Sequence, residues 1–455
     1  MARPPQPDLE PAGEGAASGP GRAIHFLCVH ERTTMTNVLL VMRKGYRIHG
    51  DHIETMRRLG LSIHVLTEFT QATEDARFAN AVVLSGEEKA RAVEIGVKHS
   101  RAHGIRLAVT FQETDIEVCA AINAELGART TSTSAAMTAR DKSQQRRFLA
   151  RHGLPSPQAI EVSNIEEACA AAQRIGYPVI VKPTRAASSV QVALVSEEGA
   201  LRARLTSIQE LARSGTGNYY QGTADAFALV EEFLPGNEVT LDGIVIDGRF
   251  HLGGIHNKMR MPGPFFEEDL YSLPFKHPDE EPKLARIAAG ICEALGLENA
   301  LFNVELRQDT RGEYRVVEFS PRISGGHVYR NVRDVYQIDL VAAHLVSCIP
   351  ELAPLREHML HRSAPRMATC IKFVYRDGRV VENHSGKASL SDAFTAYYPT
   401  APAGTTVHSA PKGFDIAGLL SVKGRYREPG DIARVEQRAA ELERELGLVV
   451  SGEST

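Results

Sequence analysis

The sequence predicts a protein of mixed class: an α/β unit at the start, then α+β structure to the end. Three observations carry this. Apolar strand-like runs alternate with helical runs up to about residue 126, the pattern of a mostly parallel sheet flanked by helices. A β-rich stretch with two turn signals, Pro235-Gly236-Asn237 and Asp247-Gly248, follows later. Past residue 355 the pattern becomes irregular and closes on a charged helix. A length of 455 residues suggests two or three domains.

In order, residues 1–22 are rich in Pro, Gly and Ala and read as a disordered tail without a signal peptide's apolar core. AIHFLCVHE (23–31) reads as the first strand, HGDHIETMRRLG as a helix stopped by Gly60, and LSIHVLTE as the next strand. AVVLS, a helical EEKARAVEIGVKHSRAHG, IRLAVTF and TDIEVCAAINAELG continue the alternation. SAAMTARDKSQQRRFLARHGLPSPQ reads as one strong helix stopped at Gly153 with Pro155 beyond, and IEEACAAAQRIG as another stopped by Gly176. A strand at 177–182, the β-rich 228–258, the helix PKLARIAAGICEALGL and the strands NALFNVELR and EYRVVEFS follow.

Composition excludes some functions. The net charge of −4 gives no general basic field for nucleic acid, and no apolar run approaches the roughly 20 residues of a membrane helix. The six cysteines are far apart and form no CxxC, so they read as reduced thiols of a cytoplasmic protein. The pairs His49/His52 and His358/His361 have metal-ligand spacing, but they read as polar helix faces.

The chemistry concentrates elsewhere. Lys182 closes the apolar run Val179-Ile180-Val181, where an unpaired ammonium is costly and an anion is needed. At ~4 Å and an effective dielectric near 20 one such pair is worth about 4 kcal/mol before desolvation. The small residues of 185–189 would let backbone N–H groups reach phosphate oxygens. In LVEEFLPGNEV, Glu231, Glu232 and Glu238 bracket Phe233-Leu234. This is either a solvated strand end or a nucleotide hinge, with backbone near Glu232 and Leu234 on adenine and Glu238 on the ribose. Glu305 and Glu318 project from apolar strands, and two carboxylates facing one cleft need a cation between them. Arg322, in the turn before Gly325-Gly326, offers a guanidinium fork for a carboxylate or phosphate.

Taken together, these segments resemble the ATP-grasp ligases, in particular the carboxylate–amine ligase branch with the bacterial L-amino-acid (dipeptide) ligases. The resemblance covers roughly residues 100–450. ARDKSQ and YPVIVKP are similar to the family's two ATP-binding lysine segments, with Lys142 placed 40 residues before Lys182. RAASS, with Ser188 and Ser189, stands where the phosphate lid stands; FNVELR and VEFSPRISGG stand for the metal strands. The resemblance implies a pre-ATP-grasp α/β domain at 23–126 and a central subdomain with the lid at 127–202. A nucleotide and metal subdomain at 203–354 and a C-terminal α+β subdomain at 355–455 would follow. It implies ATP, Mg²⁺ with Mn²⁺ as an alternative, a small-molecule carboxylate and amine, and a tendency to dimerise, with no nucleic acid or membrane partner. Lys142, Lys182, Ser188, Ser189 and 231–234 with Glu238 would hold ATP, and Glu305, Glu318 and Ser320 the metal. Lys182, Glu268 and Arg322 would act at the reacting centre. Glu113, Glu267, Glu268, Tyr271, Arg322, Gly325 and Gly326 would face the substrates.

Three departures stand out. Ser320 replaces the usual Asn of the second metal strand. In GPFFEEDLYSLPF either Glu267 or Glu268 matches the branch's Glu, and with Glu268 it is Tyr271 that stands at the usual His. The expected first strand, 23–31, lacks a following Gly-rich turn. Rival readings are ATP-grasp carboxylation or formyl transfer in purine-type metabolism, and a nucleotide-binding regulatory module.

Overall fold

The computed structural model describes residues 35–43, 45, 49–86, 88–185, 191–214, 228–264, 266, 268–409, 413 and 415–452, with the side chains of 211–214 and 358 left aside. The expected tail 1–22, the expected strand 23–31, Cys28, Ser188, Ser189 and Glu267 lie outside these residues.

Four sheets organise the described residues from Thr36 to Ser451. The first is parallel and four-stranded, with Asn80–Val83, Leu61–Thr67, Thr36–Val41 and Ala108–Val109 in that order. Helices Lys89–Ala102 and Ile116–Leu126 bury an apolar face on it through Val97, Val118 and Ile122, which pack with Leu39, Val41 and Leu66. Its strand Thr36–Val41 is a run that sequence reading passed over. After this strand stands Gly45, at φ +75°.

The expected single helix over 134–153 is two, Thr133–Ala139 and Lys142–Arg151. Asp141 interrupts it because its carboxylate accepts from the N–H groups of Ser143 and Gln144 and caps the second helix. That break puts Lys142 at the first turn of a new helix, and the helix is clamped to the strand Tyr314–Ser320. Gln145 exchanges bonds with both backbone groups of Phe319, and Arg146 donates to Val317 O at 2.6 Å.

The second sheet is antiparallel, ordered Ala159–Val162, Ala228–Glu232, Val179–Pro183, Ala193–Val195. It closes with a strand from beyond 202, where a subdomain boundary was expected. The third sheet has eight strands. Tyr314–Ser320, Ala300–Gln308, Glu238–Ile246, Arg249–Arg260 and Glu268–Leu273 run into Met367–Val374, Gly418–Arg425 and Phe394–Pro399. The boundary expected at 354 therefore cuts through one sheet. Met367–Val374 pairs with Glu268–Leu273, supplying backbone partners that an edge strand would lack. A small sheet of Gly378–His384, Thr406–Val407 and Gly447–Ser451 completes the C-terminal part. Among the described residues no helix is long and apolar enough to cross a membrane.

Candidate active site

The site is built on one face of the eight-stranded sheet, and register explains its composition. Side chains two apart on a strand share a face. Arg307, Glu238, Lys258 and Tyr271 lie on one rung across four neighbouring strands. Glu318, Glu305 and Thr240 form the next rung, and Ser320, Asn303 and Asp242 the third. The two candidate metal-binding glutamates are thus direct cross-strand neighbours.

Facing this sheet is the second one, and between them lies an open cavity of about 800 Å³. It is lined by Lys142, Lys182, Glu231–Leu234, Glu238, Glu305 and Glu318, and by three basic residues not singled out from sequence, Lys258, Arg260 and Arg307. Phe266 forms part of its apolar wall, with Arg260 and Arg307 over its ring at 4.8 and 5.3 Å.

The charges are paired in a revealing way. Lys142 Nζ lies 2.7 Å from Glu318, and Lys258 Nζ lies 2.7 Å from Glu238 and 2.8 Å from Glu305, with Glu268 at 3.8 Å. One ammonium cannot neutralise three carboxylates. Burial, aided by Glu238, Glu318 and Glu268, outweighs Lys258 and pushes the Glu305 carboxyl up to about 7. Paired carboxylate oxygens suit a hard divalent cation, so the cross-strand neighbours Glu305 and Glu318 fit Mg²⁺.

Glu231 is not a solvated strand end. It is buried between Lys182 and Arg146, each 2.7 Å away. Burial alone would raise its carboxyl, but the two cations outweigh it and hold it at about 2. Burial pushes Lys182 down to about 8 despite the pull of Glu231. Arg146 was missed, although it stands one helical turn after Lys142 and so on the same face. At the hinge, the Glu232 N–H donates to Gln158 O and its side chain accepts from Gln158 N, so these groups are already engaged. Glu238 also accepts from Arg307 at 3.0 Å.

A second cluster adjoins the first. Glu113 accepts from Arg140 at 2.8 Å, from Ser320 Oγ at 2.9 Å and from Arg322 Nε. Burial would raise Glu113, but Arg322 and Arg140 outweigh it and hold it at about 2. Glu113, expected to face substrate, is instead a buried hub that orients Arg322. Ser320 donates its hydroxyl proton to Glu113, which leaves its oxygen lone pairs for a metal. The turn carrying Arg322 is fixed from below by Asp242, which accepts from Ser324 N and Oγ at 2.8 and 2.9 Å. Beside the turn Gly325 faces open space, while a Cβ on Gly326 would meet Phe373 at 2.6 Å. Tyr271 donates to Glu268 at 2.7 Å.

His49 and His52 are buried, not the polar helix face expected. Their Nδ1 atoms are 2.9 Å apart, and His52 stacks on Phe111. Burial, then His327 and Arg322, lower His49 to about 3.

Residues 175–330 match the ATP-grasp domain family. The chain is 26% identical to alanine–anticapsin ligase of Bacillus amyloliquefaciens over 352 residues, 73% of this chain and 74% of that protein. It is 27% identical to human carnosine synthase 1 over 325 residues, 65% of this chain and 38% of that one. The L-amino acid ligase of Bacillus licheniformis superposes with a TM-score of 0.73 at 18% identity, covering 92% of this chain and 99% of that one. Phosphoribosylglycinamide synthetase of Anaerococcus prevotii superposes at 0.67 and 15%, covering 92% and 100%, a likeness of fold alone. Residues 175–330 thus carry an ATP-grasp domain, and the chain is similar in sequence to the alanine–anticapsin ligases.

Proposed function

We propose that this protein joins a carboxylate, that of an amino acid or a related acid, to an amine at the expense of ATP, releasing ADP and phosphate. The observation that carries the reading is the pairing of phosphate-type cations with metal-type carboxylates in one cavity: Lys142 on Glu318 and Lys258 on Glu305. Nucleotide and divalent cation together would exchange these internal pairs for external ones, so each should strengthen binding of the other. Mg²⁺ bound by Glu305 and Glu318 would supply charge neutralisation on the phosphates. The chain's own residues do the rest. Lys142 and Lys182 hold phosphate oxygens, and the 231–234 segment with Glu238 receives the nucleoside. Arg322, steadied by Glu113, grips the substrate carboxylate or the phosphoryl oxygens. A second cavity, lined by Asp51, His327, Arg330 and Tyr398, offers room for substrate side chains. Free thiols at the five described cysteines support a cytoplasmic setting. The relatives' substrates, alanine and anticapsin among them, motivate amino acids as the first to test. The test is ADP release scanned over pairs of amino acids and other carboxylates and amines, with mass spectrometry of the products. ADP formed only when both partners are present, with a new amide mass, supports the reading. AMP and pyrophosphate as stoichiometric products would end it.

Two further outcomes follow from the charges. Lys182 must be protonated to hold phosphate, and its pKa in the empty site is about 8. A bound phosphate raises that value, so ATP affinity should be flat below pH 7 and fall as pH rises through 8, by up to tenfold per unit. Titration calorimetry between pH 6.5 and 9.5 checks this, and Lys182→Met should bind weakly without that slope. Arg322→Lys keeps charge but loses the fork. If Arg322 steadies the transition state, kcat should fall with kcat/KM, by about 10²-fold. ATP affinity measured alone should change little.

A further inference from the structure

We propose that His64, His99 and His103 form a three-imidazole site for a transition-metal dication, Zn²⁺ or its neighbours Co²⁺, Ni²⁺ and Cu²⁺, which clips the end of one helix to the first sheet. His64 lies in the strand Leu61–Thr67 and is 4% exposed. His99 lies in the last turn of the helix Lys89–Ala102, and His103 is its C-terminal cap. Four residues apart on a helix, these two share one face, and that face meets His64. One ligand atom from each of the three rings falls within 4.8 Å of the others. Four-coordinate zinc with nitrogen at 2.0–2.1 Å needs donors about 3.3 Å apart. Small side-chain rotations close that gap.

The hydrogen bonds select the metal-binding tautomer. His103 Nδ1 lies 2.9 Å from the carbonyl oxygen of His99. A carbonyl can only accept, so Nδ1 carries the proton and Nε2 keeps its lone pair. A backbone carbonyl holding the second ring nitrogen is the usual support of a ligating histidine. His64 Nδ1 and His99 Nε2 lie 2.9 Å apart, a distance that requires one N–H between two nitrogens. A cation replaces that shared proton. The carbonyl end of the helix also favours a cation. His103 is exposed and gives the ion its path from solvent. A stack of polar rings would account for the His64–His99 bond. It gives no reason for the third ring to converge on the same point.

None of the three residues lines the nucleotide cavity. The chemistry of the two sites differs as well: imidazole nitrogens select late transition metals, whereas carboxylates select Mg²⁺. That difference makes the test clean. The full chain, stripped with chelator and held in excess Mg²⁺ to fill the carboxylate site, is titrated with Co²⁺ while visible absorption is read. One equivalent should produce ligand-field bands, and Zn²⁺ should bleach them. His103→Gln, an exposed change that spares the fold, and His99→Gln should each weaken binding at least about tenfold. Glu305→Gln should leave the bands unchanged. Zn²⁺ should raise the thermal midpoint of the wild-type chain and not that of His103→Gln. Absence of bands at one equivalent overturns the proposal. So do bands that survive both histidine variants, or bands that disappear with Glu305→Gln.

Discussion

Glu318→Gln is expected to lower kcat by about 10³-fold or more while leaving the protein folded. The carboxylate sits directly across the sheet from Glu305 and accepts from Lys142 at 2.7 Å. Glutamine keeps the size and still accepts from Lys142, but it removes the charge that a divalent cation needs. The Lys142–Glu318 pair is partly open, the glutamate side chain being 29% exposed, so screening limits the stability cost to roughly 1 kcal/mol. Relief of Glu305, which feels Glu318 as a like charge, works in the opposite direction. ADP release and thermal unfolding of the same preparation separate the two effects. Near wild-type turnover would remove Glu318 from the metal site.

Glu113→Gln is expected to damage both stability and turnover. The carboxylate lies between two guanidinium groups, with side-chain exposures of 3% for Arg140 and 19% for Arg322. Removing the central charge leaves two neighbouring cations without it, a change that costs about 3–5 kcal/mol in buried clusters. Arg322 then loses its fixed orientation, and kcat should fall by about 10²-fold even where protein remains folded. If Glu113 acts through Arg322, the double variant Glu113→Gln/Arg322→Lys should be no slower than the worse single one. Additive losses would instead give Glu113 its own contact with substrate.

Much of this site was legible because its residues break local expectation. A lysine ending an apolar strand and glutamates inside apolar strands each demand a partner, and Lys182, Glu305 and Glu318 were found that way. Lys258, third from the end of its strand and preceded by His256 and Asn257, gave no such signal. Arg307 stands two residues from Glu305, on the same face by strand alternation. Asp242, a carboxylate inside an apolar strand, obeys the same rule, whereas Arg140 gave no such signal. Their partners lie 82 and 27 residues away, at Ser324 and Glu113, contacts that only the folded chain creates. The fold was read by periodicity and failed where periodicity is blind. The pattern over 134–151 stays helical across Asp141, so the capping break escaped notice. The eight-stranded sheet joins strands on both sides of residue 354, a pairing that local pattern cannot report.

The central claim is that a carboxylate oxygen takes the terminal phosphoryl group of ATP and that the amine then displaces phosphate at the acyl carbon. Atoms can be followed through it. For the first active substrate pair, the carboxylate is labelled with ¹⁸O on both oxygens, and the products are read by mass spectrometry after one round of turnover. One ¹⁸O should appear in inorganic phosphate and one in the new amide, with none in ADP. Label in AMP, or phosphate free of ¹⁸O, would contradict the account.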